Sequence, residues 1–134
     1  LIKEEPGIFH QMEQTLSAVE SVLNKEITLK ELKPALADAR RAAKQLADSR
    51  AADPVSLAAA RAVSTACSTA QTPTNAFGFL LYGAAARAYH SAGLSEAAAT
   101  YDRLAEKELK RALLSLQAAA VSDEPNPVSI RWNC

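Results

Sequence analysis

The sequence is short of glycine, cysteine and aromatic residues, and it has no surplus of charge of either sign. Its 134 residues include 4 Gly, 2 Cys, 3 Phe, 3 Tyr and 1 Trp, and 15 Lys and Arg balance 15 Asp and Glu. Balanced charge argues against a nucleic-acid partner, because neutralising phosphates requires a basic surplus. So few glycines also leave no Gly-rich phosphate-binding loop.

The two cysteines, Cys67 and Cys134, are too few and too far apart for the disulfide scaffold of a small secreted domain. We favour a buried helical thiol and a thiol at the last residue, with one disulfide between them as the open alternative. No basic and then apolar leader is visible. Polar residues and Pro73 interrupt the uncharged stretch 62–86, so we expect two bundle helices there, no membrane partner and a cytoplasmic location.

Alanine is abundant, with 29 residues, and strand-forming residues never cluster. This composition predicts an all-α fold, because alanine has the highest helix propensity. We expect one domain over residues 1–134, an antiparallel bundle of about five helices with an extended C-terminal arm packed back on it. The predicted helices span 7–24, 34–49, 54–70, 73–92 and 96–121, and the arm spans 122–134.

The first two predicted helices are amphipathic. Apolar residues of the first recur every three or four positions and predict its core-facing side: Phe9, Met12, Leu16, Val19 and Leu23. Thr28 and Glu31 have the spacing of a capping box. Because proline inside a helix costs about 3 kcal/mol, we expect a short turn at 28–33 and a helix that begins at Pro34. We interpret the cluster of Arg40, Arg41 and Lys44 as a solvated helix face.

Capping signals mark the later helices. Asp53-Pro54 and Thr72-Pro73 each place a capping residue before a proline, and Ser95 is expected to cap the fifth helix. Gly93 suits a left-handed position after the fourth helix, with Leu94 as its apolar successor in a Schellman ending. The fourth helix is apolar nearly all round, which predicts a central position.

The fifth helix and the arm complete the predicted core. The residues expected to face inward on the fifth helix are Leu94, Ala98, Tyr101, Ala105, Leu109, Ala112 and Leu116, with Glu106 and Lys110 paired on its wet side. Val128, Ile130 and Trp132 alternate, so they point the same way along an extended, proline-stiffened arm. We therefore predict that Trp132 is buried against the helices.

The sequence lacks the residue sets that catalysis or metal binding requires. A di-iron bundle needs Glu-x-x-His on two helices, whereas Gly7 and Arg87 stand three residues before His10 and His90. Two distant histidines and two distant cysteines have no zinc-site spacing. We therefore expect no catalytic residues, no metal and no cofactor.

Polar residues near the turn between the third and fourth helices are the candidate binding residues. They are Gln71, Thr72, Thr74, Asn75, Tyr82 and His90. Side-chain amides, hydroxyls and backbone N–H groups at a helix start suit a small ligand or an anion. A small-ligand or enzymatic site here is one alternative, and a well-capped turn without a ligand is the other.

Two segments resemble a known family. Cys67-Ser-Thr-Ala-Gln-Thr-Pro-Thr-Asn-Ala-Phe-Gly78, followed by Tyr82-Gly-Ala-Ala-Ala, and the ending Asp123-Glu-Pro-Asn-Pro127 with Ile130-Arg-Trp-Asn-Cys134 are similar to bacterial immunity proteins of the immunity-five-like type. The resemblance implies a non-enzymatic protein that neutralises a cognate toxin by protein–protein binding. Members of that family have histidines where Gln71 and Asn75 stand here. A structural, homo-oligomerising bundle such as a homodimer stays open as a third interpretation.

Overall fold

The computed structural model describes residues 6–49, 52–127 and 129, and within them it contains helices and no strand. The five α-helices are α1 (Pro6–Leu23), α2 (Leu29–Asp48), α3 (Pro54–Ser68), α4 (Ala76–Ala92) and α5 (Ala98–Ala119), and a 3₁₀ turn, Pro73–Asn75, precedes α4. The predicted all-α bundle is confirmed. None of these helices is both long enough and apolar enough to span a membrane.

Helix α3 lies at the centre of the molecule. It packs against α1 and α2 and, most extensively, against α4, whereas α5 packs only against α4 within the described residues. Helices α3 and α4 run antiparallel, because Gly78 lies against Thr65 and Gly83, five residues later, lies near Ala62. The molecule is thus a three-helix core, α1–α3, extended on one side by the α4–α5 hairpin.

Helix α2 begins at its capping box, which corrects the predicted turn at 28–33. The Thr28 N–H donates to Glu31 Oε2 over 2.7 Å, and the Glu31 N–H donates to Thr28 Oγ1 over 3.3 Å. Pro34 therefore lies inside the helix. Leu32 and Leu36, on either side of it, are fully buried. Burial of about 2 kcal/mol per leucine, together with the cap, outweighs the one backbone hydrogen bond that proline removes.

The predicted cap at Asp53 is confirmed, but those at Thr72 and Ser95 are wrong. Asp53 Oδ2 accepts from the Ser56 N–H over 2.9 Å. Thr72 precedes the 3₁₀ turn without a side-chain capping bond, and α5 begins after Ala97, which has none either. In place of a capping side chain, Tyr101 holds the loop that precedes α5. Its hydroxyl accepts a hydrogen bond from the Glu96 N–H and donates one to the Gly93 carbonyl.

Gly93 ends α4 with a positive φ of 79°, as predicted. Its ψ of −168° lies outside the left-handed helical region. Leu94, which was expected as the apolar residue of a Schellman ending, is exposed.

The core consists of two clusters around α3. The larger one is built mainly of alanines, around Met12 and Leu46, and the smaller one contains Leu32, Leu36 and Cys67. Small side chains let helix axes approach toward the close end of the usual range of about 8–10 Å. The core is therefore close-packed but contains few large side chains.

Several predicted core positions lie at the surface. On α1 only Met12 of the predicted apolar face is fully buried, and Phe9, Leu16 and Leu23 are exposed. Helix α4 buries only alanines, and α5 has no fully buried residue. In the part of the chain that the structure describes, α5 has one neighbouring helix and α4 has two, on opposite sides, so apolar side chains at their flanks are exposed.

The arm is described only in part. Residues 120–127 and 129 are exposed. Val128, Ile130, Trp132 and Cys134, on which the predicted docking and the alternative disulfide depend, lie outside the described residues. Both therefore stay predictions.

Candidate functional site

The predicted binding residues do not form one cluster. Gln71 and Thr72 are exposed, and Thr74 and Asn75 are half-buried in the 3₁₀ turn. Tyr82 lies two helical turns, or about 10 Å, beyond Asn75 along the axis of α4. His90 lies at the far end of the helix, about 22 Å from Asn75. The structure therefore brings 71–75 together, and a ligand site at this turn stays a prediction.

Tyr82 belongs to another surface, which we call the α4 face. It consists of two adjoining grooves on one side of α4. The groove between α3 and α4 has a volume of about 320 Å³ and is lined by Pro54, Leu57, Ala58, Arg61, Tyr82, Ala85 and Tyr89. The groove between α4 and α5 has about 160 Å³ and is lined by residues that include Leu81, Asp102 and Leu109. Ala85 and Tyr89 line both grooves, so α4 forms a ridge between them.

The α4 face has the chemistry of a protein–protein interface. The Arg61 guanidinium lies over the Tyr82 ring, 5.8 Å from its centroid. Tyr89 packs edge-on against Tyr101, with ring centroids 5.2 Å apart. Leu81, on the ridge, is 61% exposed. Tyr and Arg beside exposed apolar side chains, with few other charges, are typical of interface centres.

Two opposite charges stand on either side of this ridge. Arg61 lies in the α3–α4 groove and Asp102 in the α4–α5 groove. Two ion pairs lie nearby, since Lys110 Nζ lies 2.6 Å from Glu106 Oε1 and Arg87 Nε lies 3.5 Å from Glu108 Oε2. Neither Arg61 nor Asp102 has an oppositely charged partner among the residues that the structure describes.

A second surface lies on α2 and is basic. Its exposed cations share one side of the helix and define what we call the α2 basic face: Lys30, Lys33, Arg40, Arg41 and Lys44. Arg41 pairs with Asp38 over 2.9 Å. Beside this face, a groove of about 430 Å³ between α1 and α2 is lined by Gly7, Ile8, Gln11, Asp38, Arg41, Ala42 and Gln45.

Sequence reasoning found only part of the α2 basic face. It grouped Arg40, Arg41 and Lys44 but left out Lys30 and Lys33, because the helix was expected to begin at Pro34. The spacing of three, seven and four residues from Lys30 to Lys44 places them together once the helix begins at Leu29. No sequence signal paired Arg61 with Asp102, since only the packing of α3, α4 and α5 puts them on one face.

Cys67 has a structural environment. Its side chain is buried with Leu32 and Leu36. Burial raises the pKa of the Cys67 thiol to about 11, so it stays protonated at neutral pH. His10, the other side chain considered for chemistry, bonds to Gln14 over 2.9 Å on the surface of α1. Within the described ranges, no three His, Cys, Asp or Glu side chains come together as a metal site.

Comparison with known proteins identifies a family. A family model described as "Imm-5 like putative immunity protein" matches residues 2–115. No curated protein and no solved structure matches the chain. The matched segment includes α1–α4 and most of α5, and it confirms the resemblance seen in the sequence. The chain therefore belongs to the Imm-5-like family of immunity proteins.

Proposed function

We propose that this protein neutralises a cognate toxin by binding it directly, and that the α2 basic face makes the contact. Membership of an immunity-protein family over residues 2–115 is the observation that carries the proposal. The toxin would present an acidic surface, because opposite charges across an interface favour association and orient the partners.

The rigidity of α2 supports this assignment. Leu32, Leu36 and Leu46 hold its inner side in the core, and the capping box secures its first turn. A surface that is already ordered loses little conformational entropy when a partner binds. The α2 basic face is therefore preorganised, and its cations need only side-chain adjustments to meet a partner.

The distribution of charge also supports it. The whole chain has no net charge at neutral pH, yet five cations lie together on one side of α2. Such a local concentration of charge attracts an oppositely charged protein over about one Debye length, roughly 8 Å at physiological salt. The adjoining groove between α1 and α2 offers polar side chains, such as Gln11 and Gln45, for the shorter-range contacts.

The test uses toxin domains encoded beside the gene. Each is expressed in bacteria with and without this protein, and the pair that restores growth is studied by titration calorimetry. We expect the double variant Arg40→Glu with Lys44→Glu to weaken binding at least tenfold, mainly by slowing association. The matched control, Arg103→Glu with Lys107→Glu on α5, should bind like the wild type.

The outcomes separate the function from the surface. If no neighbouring toxin binds the wild-type protein or is neutralised by it, the proposed function is wrong. If a toxin is neutralised equally well by the α2 double variant, the function stands and the assignment to the α2 basic face is wrong. Circular dichroism of each variant checks that the helices are intact.

A further inference from the structure

Among residues 6–49, 52–127 and 129, no element covers the α4 face. Helix α5 touches only α4, and neither helix contacts α1 or α2 within the described residues. Leu81 on α4, and Leu113 and Leu116 on α5, are each more than half exposed. Monomeric proteins rarely leave so many large apolar side chains together at the surface, so this side of the bundle is expected to meet a partner.

We propose that a second copy of the chain covers the α4 face, in a two-fold dimer in which Arg61 of each copy faces Asp102 of the other. A two-fold interface uses the same patch on both copies, so the patch must be complementary to itself. The α4 face meets this requirement, because Arg61 and Asp102 lie on opposite sides of an apolar ridge and neither has an ion-pair partner among the described residues.

The positions of the two charges are compatible with helix packing. Arg61 is level with Tyr82 on α4. Asp102 is nearly level with Tyr89, because its neighbour Tyr101 packs against the Tyr89 ring. The two residues are therefore offset by about 10 Å along α4, at 1.5 Å per residue. They lie about 18 Å apart across the layer of α3, α4 and α5, if neighbouring axes are about 9 Å apart.

These two distances fix the orientation of the dimer axis. We consider a two-fold axis that lies parallel to the layer of α3, α4 and α5. When this axis is inclined by about 30° to the axis of α4, it brings Arg61 of one copy over Asp102 of the other. The α4 ridges of the two copies then cross at about 50–60°, near the commonest angle for packed helices, about 50°. Pairing the charges therefore also places ridge against ridge in a usual geometry.

The face is also large enough. Helix α4 has 17 residues and is about 25 Å long. Three neighbouring helices about 10 Å wide offer about 750 Å², close to the roughly 800 Å² that each partner buries in a standard interface. The α2 basic face lies on another side of the molecule, since α2 has no contact with α4 or α5 in the described residues. Dimerisation therefore leaves it accessible.

The test is the oligomeric state of the full chain, measured by sedimentation equilibrium between about 1 and 200 μM, a range that covers interfaces of this size. We expect a reversible dimer. Arg61→Asp and Asp102→Arg should each raise the dimer dissociation constant at least tenfold, because each places like charges together. The double variant restores both pairs with the charges exchanged and should recover dimerisation.

Two further variants serve as controls. Leu81→Glu puts a charge on the ridge and should give a monomer. Leu114→Glu should leave the dimer unchanged, because Leu114 is 65% exposed and lies about 140° around α5 from Leu109. Both residues are exposed, so neither change disturbs the core.

These experiments use the chain alone, so their results test the dimer independently of any toxin. A wild-type monomer throughout the concentration range would overturn the dimer. A wild-type dimer that Leu114→Glu disrupts and Leu81→Glu does not would place the interface elsewhere. Failure of the double variant to recover dimerisation would overturn the reciprocal pairing of Arg61 with Asp102.

Discussion

Two glycines of α4, Gly78 in its first turn and Gly83 near its middle, should respond in opposite ways to replacement by alanine. Glycine in a helix interior is about 1 kcal/mol less favourable than alanine. A Cβ built at Gly83 lies 4.0 Å from the Ala62 Cβ, which is an ordinary contact. Gly83→Ala should therefore raise the free energy of unfolding by about 1 kcal/mol, or the melting temperature by about 3–5 °C.

At Gly78 the same change meets an obstacle. A Cβ there lies only 3.0 Å from Thr65 Cγ2. The Thr65 hydroxyl donates to the Arg61 carbonyl over 2.5 Å, so rotating the methyl away breaks that hydrogen bond. Overpacking of this kind typically costs about 1–3 kcal/mol. Gly78→Ala should therefore lower the free energy of unfolding, or at best leave it unchanged.

A double variant isolates the cause. Thr65→Ser removes the methyl group and keeps the hydroxyl that donates to Arg61. In that background Gly78→Ala should stabilise by about 1 kcal/mol, as Gly83→Ala does in the wild type. The assay is urea unfolding followed by circular dichroism, at one fixed protein concentration because a dimer makes stability depend on concentration.

The comparison can refute the packing. If Gly78→Ala stabilises the wild-type protein as much as Gly83→Ala does, α3 and α4 are not as close at Thr65 as described here. If Gly78→Ala still destabilises in the Thr65→Ser background, the obstacle is something other than the threonine methyl.

Three other predictions concern single side chains. Asp53→Ala should lower the free energy of unfolding by about 1 kcal/mol at neutral pH. Burial raises the pKa of Asp53. The hydrogen bonds that its carboxylate accepts, chiefly from Ser56, together have a larger, opposite effect and leave the pKa below its ordinary value. The stability from this carboxylate is thus lost as the pH falls through the folded-state pKa, and the urea curves of wild type and variant should converge as the pH is lowered past the ordinary aspartate pKa. In a Cys134→Ser background, Cys67 should react with a thiol reagent only as fast as the protein unfolds, and rapid reaction would contradict its burial. Trp132→Ala should lower the melting temperature by more than about 10 °C if the arm is docked, and a water-exposed emission maximum of native Trp132 would contradict docking.

Local patterns in the sequence were enough to predict five helices, although not where each of them begins. Asp53 before Pro54 starts α3 as expected, and the spacing of Thr28 and Glu31 marks the start of α2. These signals succeed because a cap involves residues three positions apart, whose hydrogen bonds depend on local backbone geometry. The family could also be recognised from the sequence, because short segments such as Cys67 to Gly78 resemble it, and the family match over residues 2–115 confirms this.

The failures of sequence reasoning share a cause. Pro34 was expected to begin a helix, but burial of Leu32 and Leu36 keeps it inside one. Ser95 was expected to cap α5, but the Tyr101 hydroxyl bonds that loop instead. In each case a contact outside the local pattern outweighed a local preference.

Periodicity determines which side chains share a side of a helix, because 3.6 residues complete each turn. It does not determine whether another helix covers that side, which depends on segments distant in sequence. Phe9 was expected in the core and lies at the surface, because the described neighbours of α1, which are α2 and α3, leave it uncovered. The same tertiary packing of α3, α4 and α5 places Arg61 and Asp102, 41 positions apart in the chain, on one face.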